Sequence, residues 1–129
     1  MVKFDQEVLH NPPHDYGDCT RAVVYTIAQK HLDLPHPINY ERPKTWNMNF
    51  FTELEEVHNL RLDYFPNNEK EFWPRFVGRS GVSPRGTRHL VVWDRETDTM
   101  FHDPHPSRDG LVSGTEDGYF ILRKNDEIS

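Results

Sequence analysis

The chain has 129 residues, a mass of 15.3 kDa and a formal charge of −6 at pH 7 with histidines neutral. That length suits a single domain, 1–129, able to bury about two thirds of the surface its unfolded chain exposes without a metal or disulfide to hold it. The acidity disfavours nucleic acid as a partner, since phosphate contacts need clustered Lys and Arg, while three Trp, five Tyr and eight Phe argue against disorder.

The start, Met1-Val2-Lys3-Phe4-Asp5, has neither the basic segment nor the apolar run of a signal peptide. No apolar run reaches membrane-spanning length, and one cysteine makes no internal disulfide, so a reducing, cytoplasmic setting is expected. Residues 2–16 contain Asn11-Pro12-Pro13-His14 and read as extended or irregular. Asp18 is a good helix cap and places Cys19 at the first helical position. Ala22, Val23, Ile27, Ala28 and Leu32 supply the apolar stripe, and Pro35 and Pro37 end it. Trp46 to Asn59 reads as a second helix with Phe50, Phe51, Leu54 and Val57 on its apolar side. Leu60 to Phe65 alternates as a strand. The aromatic-rich stretch holding Phe72, Trp73, Phe76 and Val77 has no clear period, and Gly78 to Gly86 reads as a loop. Strands are expected at His89–Trp93, Met100–Phe101 and Tyr119–Leu122, with Asp94–Thr99 turning between the first two. Helix, helix, then antiparallel strands defines an α+β fold. Trp46, Trp73 and Trp93 read as core residues before substrate walls.

Three residues carry the chemistry. Cys19 at a helix start meets unpartnered backbone N–H groups and the positive end of the helix dipole, which favour a thiolate. His89 begins a strand, and Asp103 follows one hairpin later in His102-Asp103-Pro104-His105-Pro106. A thiolate, an imidazole that carries a proton and a carboxylate that orients the imidazole make a nucleophilic triad. The bland alternatives are a buried apolar cysteine, a strand histidine and a turn aspartate. Arg75, Arg79, Arg85 and Arg88 bracket the glycine-rich loop and suggest a local anion or substrate pocket, with Arg85 and Ser83 as substrate-binding candidates. His105 is a candidate cleft residue. His89, His102, Asp103 and His105 also suggest a metal site, but the stiff prolines and the alternation of a strand make their joint use awkward, so neither metal nor cofactor is expected.

Gly17-Asp18-Cys19-Thr20-Arg21-Ala22, Gly81-Val82-Ser83-Pro84-Arg85-Gly86, His89-Leu90-Val91-Val92 and His102-Asp103-Pro104-His105-Pro106-Ser107 together resemble a small bacterial and phage family of the papain-like cysteine peptidase superfamily, close to the double-glycine, bacteriocin-processing peptidase domains. The resemblance implies a papain-like fold, with the cysteine helix packed on a small antiparallel sheet. It implies Cys19 as nucleophile, His89 as general base and acid, and Asp103 as orienter. The implied activity is hydrolysis of a peptide, isopeptide or other amide bond, with a peptide, protein or small amide as partner and no membrane. Papain-like peptidases also place a glutamine shortly before the cysteine to help build the oxyanion hole. Here Asn11 is the candidate, with His14 second and Gln6 set too far upstream; Asn11 reads equally well as a turn residue before two prolines. The missing glutamine supports an alternative function, a scaffold with weak or no turnover that binds or inhibits another protein.

Overall fold

The computed structural model describes residues 2–7, 18–35, 43–66 and 73–124. Two helices, α1 (Cys19–Ala28) and α2 (Pro43–Glu56), precede five strands: β1 (Leu60–Pro66), β2 (Phe76–Val82), β3 (Arg88–Asp94), β4 (Thr99–His102) and β5 (Gly118–Lys124). The strands form one antiparallel sheet in the order β1-β5-β2-β3-β4, so the fold is α+β. Among the described residues no helix is long and apolar enough to cross a membrane.

Helix α1 starts at Cys19, with Asp18 at the N-cap and the Asp18 carbonyl accepting from the Ala22 N–H at 3.1 Å. The Asp18 carboxylate makes no capping bond. It accepts instead from the Glu7 N–H (2.9 Å) and from Arg21 (3.3 Å). The helix does not run on toward Pro35 as its apolar stripe suggests. It stops at Ala28, where Gln29 turns left-handed (φ 63°) and the Gln29 and Lys30 N–H groups close back onto Thr26 and Tyr25. The Gln29 amide then holds both backbone groups of Val2, a tie across the chain that no local pattern reveals.

Helix α2 lies three residues nearer the N-terminus than expected, Pro43–Glu56 against Trp46 to Asn59. Phe50 and Leu54 are buried, but Phe51 and Val57 are 40% and 68% exposed. Val57 lies beyond the last helical residue, and Phe51 sits at the border of the stripe, edge-on to Phe50. Val24 and Tyr25 of α1 meet Trp46, Phe50 and Leu54 of α2 and Leu62 of β1 in one cluster. Val23 packs with Leu90 and Val92 of β3, and Cys19 lies against that second cluster. Alternation along β5 puts Phe120 and Leu122 on the helix-covered face, and Tyr119 and Ile121 on the other with Trp73 and Val77.

Strand β2 corrects the expected loop: the chain is extended through Val82, and only residues 83–87 make the connection to β3. A Cβ on Gly78 would sit 3.0 Å from Phe120 Cβ and 3.3 Å from Leu90 Cδ1, and one on Gly81 would sit 3.2 Å from both Leu111 and Thr115. Glycine is therefore what lets this central strand pass between its neighbours, and it also erases the side-chain period that marks a strand. The surrounding arginines do not share one pocket. Arg75 pairs with Asp94 and Glu96, Arg79 donates to the Gly118 carbonyl and lies over Tyr119, and Arg88 pairs with Asp117. Arg85 donates to Ser107 Oγ, toward the loop that follows β4.

Candidate active site

His89 is the second residue of β3, and its neighbour Leu90 is locked in the core, which fixes the backbone carrying the imidazole. The position of Asp103 depends on an irregularity in β4. Val92 pairs with His102 while Trp93 pairs with Met100, so Phe101 is an extra residue in a bulge. A one-residue offset exchanges the two faces of a strand. The bulge therefore gives His102 the face of Val92, and gives the next residue, Asp103, the face of Val91 and His89.

Asp103 is fully buried and each oxygen is engaged. Oδ1 lies 2.6 Å from His89 Nε2 and accepts from the His105 N–H at 2.9 Å; Oδ2 accepts from the Gly110 N–H at 2.7 Å. Burial alone would raise its pKa, but the His89 bond and the two backbone donors outweigh it and hold the carboxyl at about 2. With Nε2 committed to Asp103, Nδ1 is the ring nitrogen left for Cys19, whose side chain is a hydrogen-bond partner of His89. Burial pulls the imidazole toward its neutral form. The hydrogen bonds to Asp103 and Cys19, together with their charges, overcome this and raise the pKa to about 9. His89 is thus cationic at neutral pH, and its ring faces the Cys19 side chain. Cys19 itself is half-buried in the first turn of α1, where backbone N–H groups lack acceptors within the helix.

The structure thus brings Cys19, His89 and Asp103 together. His105 stands beside them, its ring edge-on to that of His89 with centroids 6.2 Å apart, and Arg85 reaches the same loop through Ser107. Ser83 is buried in the β2–β3 connection, its hydroxyl within 3.2 Å of Thr87 Oγ1 and its N–H on the Thr87 carbonyl. Its polar groups serve the turn. His102 faces the N-terminal segment, with Nε2 3.0 Å from both the Phe4 carbonyl and Asp5 Oδ1. Among the described residues no three His, Cys, Asp or Glu side chains are grouped to hold a metal ion. Asn11 and His14 lie outside the described residues.

Sequence reasoning missed residues that serve the site from a distance. Gln6 lies far upstream of Cys19 in sequence, yet its N–H donates to the Pro104 carbonyl at 3.1 Å while the next N–H, of Glu7, donates to Asp18. Its backbone therefore runs between the residue before Cys19 and the residue after Asp103, and its side-chain Oε1 is buried. Arg21, one turn after Asp18, is 5% exposed and joins Asp18 and Glu7. Gly110 supplies an oriented N–H, and Ser107 links His105 to Arg85. The Asp18–Arg21 and His105–Ser107 spacings are local enough to be legible in the sequence. Comparisons of the chain with protein-family models, with curated proteins and with solved structures returned no match in any of the three.

Proposed function

We propose that this chain is a papain-like cysteine hydrolase that cleaves a peptide, isopeptide or other amide bond. The observation that carries this reading is the chain of contacts from Cys19 through His89 to the buried Asp103. An imidazolium held by a carboxylate on one nitrogen and facing a thiolate on the other is the resting state of a thiol nucleophile with its own proton donor. Cys19 Sγ adds to the carbonyl carbon, and the developing oxyanion is met by the Cys19 backbone N–H. His89 passes its proton to the departing nitrogen as the C–N bond breaks, leaving a thioester on Cys19. Neutral His89 then takes a proton from water as the water oxygen attacks the thioester. The acid leaves and the thiolate–imidazolium pair is restored. Asp103 keeps the ring oriented and its charge compensated throughout.

Gln6 is the second oxyanion donor in this reading, in the role for which the sequence offers Asn11 as a candidate. Its support is its own N–H bond to the Pro104 carbonyl and, one residue on, the Glu7 N–H bond to the Asp18 carboxylate. Exposure to an activated ester tests the whole scheme. A hydroxylamine-labile acyl adduct on Cys19, seen by intact mass and absent from Cys19→Ser and His89→Ala, is expected. An adduct that forms equally well in His89→Ala would leave a scaffold that binds without turnover.

A further inference from the structure

We infer that the site selects substrates carrying a carboxylate close to the carbonyl that Cys19 attacks, and that Arg85 and His105 hold that carboxylate. The inference rests on the hydrolase reading above and names its substrate class. In a chain with 21 Asp and Glu against 15 Lys and Arg, exposed arginines readily find acids. Arg75 is paired with Asp94, Arg88 with Asp117, Arg108 with Asp5 and Arg123 with Asp63. Arg85 is exposed and pairs with no acid among the described residues; its guanidinium donates to a neutral hydroxyl, Ser107 Oγ, at 3.1 Å.

Ser107 joins this guanidinium to His105. Its N–H donates to His105 Nδ1 at 3.0 Å and its Oγ lies 2.9 Å from the same nitrogen. A nitrogen that accepts from the backbone carries no proton, so neutral His105 bears its N–H on Nε2. The ring carrying that donor is edge-on to His89 at 6.2 Å. A forked cation and an imidazole N–H, fixed to one another through Ser107 and set against the His89 ring, form a two-point receptor for a carboxylate. The acids that act on His105 are Asp103 and Asp109. Asp103 is buried and engaged with His89, whereas Asp109 is exposed and its N–H turns to Ser107 Oγ at 3.3 Å.

Alkylation of Cys19 by iodoacetate and by iodoacetamide, which differ in one negative charge, reads this receptor directly. The ratio of the two rate constants should fall about tenfold in Arg85→Ala, the change expected for about 1.4 kcal/mol of lost attraction. It should also fall in His105→Ala and in high salt. An equal ratio in the native protein and Arg85→Ala would overturn the inference. Protection of Cys19 by N-acetylglycine would assign the carboxylate to a chain end, and stronger protection by N-acetylaspartate α-amide would assign it to a side chain. Iodoacetamide keeps the two readings apart. If His89→Ala slows it and the ratio ignores Arg85, only the carboxylate receptor has failed; if His89→Ala has no effect, the hydrolase reading itself has failed.

Discussion

Gly110 shows how a residue with no side chain sets the chemistry of another. It adopts φ 72° so that its N–H can reach Asp103 Oδ2, and a Cβ there would also lie 3.0 Å from the flexible Met100 Sδ. The sulfur can move aside, so the backbone conformation is the costly part. Gly110→Ala should destabilise the protein by about 1 kcal/mol or more and slow Cys19 alkylation, as read from urea midpoints and labelling rates. His89 gives a pH signature at the same scale. Its pKa rises from 6.5 to about 9 on folding, so its proton adds stability that is complete below pH 6.5 and is lost as pH climbs through about 9. Asp103 moves the other way, from 3.8 to about 2, and its contribution is present above pH 3.8 and lost as pH falls through about 2. The urea midpoint should therefore decline between pH 6.5 and 9, and decline less in His89→Gln; a flat native profile across that window would contradict the buried ion pair. Gln6→Ala should lower turnover of an activated ester by about 10²-fold, the loss typical of one oxyanion donor, while leaving His89-dependent alkylation in place.

At the scale of elements, α1 is held at its functional end by a buried charge pair. Arg21 satisfies Asp18, which is 1% exposed, and also donates to the Leu34 carbonyl at 3.3 Å. Arg21→Ala would leave that buried carboxylate without its cationic partner, at a cost of about 3 kcal/mol, measurable by chemical denaturation. Strand β2 gives the matching prediction for the sheet. The nearest atom to a new Cβ on Gly78 is Phe120 Cβ, which cannot swing away, so Gly78→Ala should cost about 1–3 kcal/mol. These two elements also mark what the sequence could and could not disclose. The start of α1 was legible because Asp18, the apolar stripe and the cysteine lie within a few residues of one another. Its end was not, because Gln29 is held by Val2 from far along the chain. β2 was hidden because the close packing that makes it central requires the residues that sequence rules read as loop. The Cys19–His89–Asp103 grouping was legible in part: His89 lies on β3 and Asp103 directly after the neighbouring β4, but the Phe101 bulge that turns Asp103 toward His89 has no sequence signature.

Residues 4–7 bridge distant parts of the described fold. Phe4 donates to Thr26 Oγ1 on α1, its carbonyl lies 3.0 Å from Nε2 of His102 at the end of β4, Gln6 reaches Pro104, and Glu7 reaches Asp18. This strap joins the helix that carries Cys19 to the loop that carries Asp103, so the two halves of the site meet through it as well as through the core. Several of its bonds are partly buried and escape much of the screening that weakens the exposed Asp5–Arg108 pair. In the proposed hydrolase, Cys19 and His89 act as one unit. Iodoacetamide alkylation at pH 7 tests it most directly, with native protein compared against His89→Ala and against a free cysteine peptide. The native thiol should react well ahead of the peptide and lose about 10²-fold in His89→Ala. A native rate equal to the peptide's, and indifferent to His89, would contradict the claim.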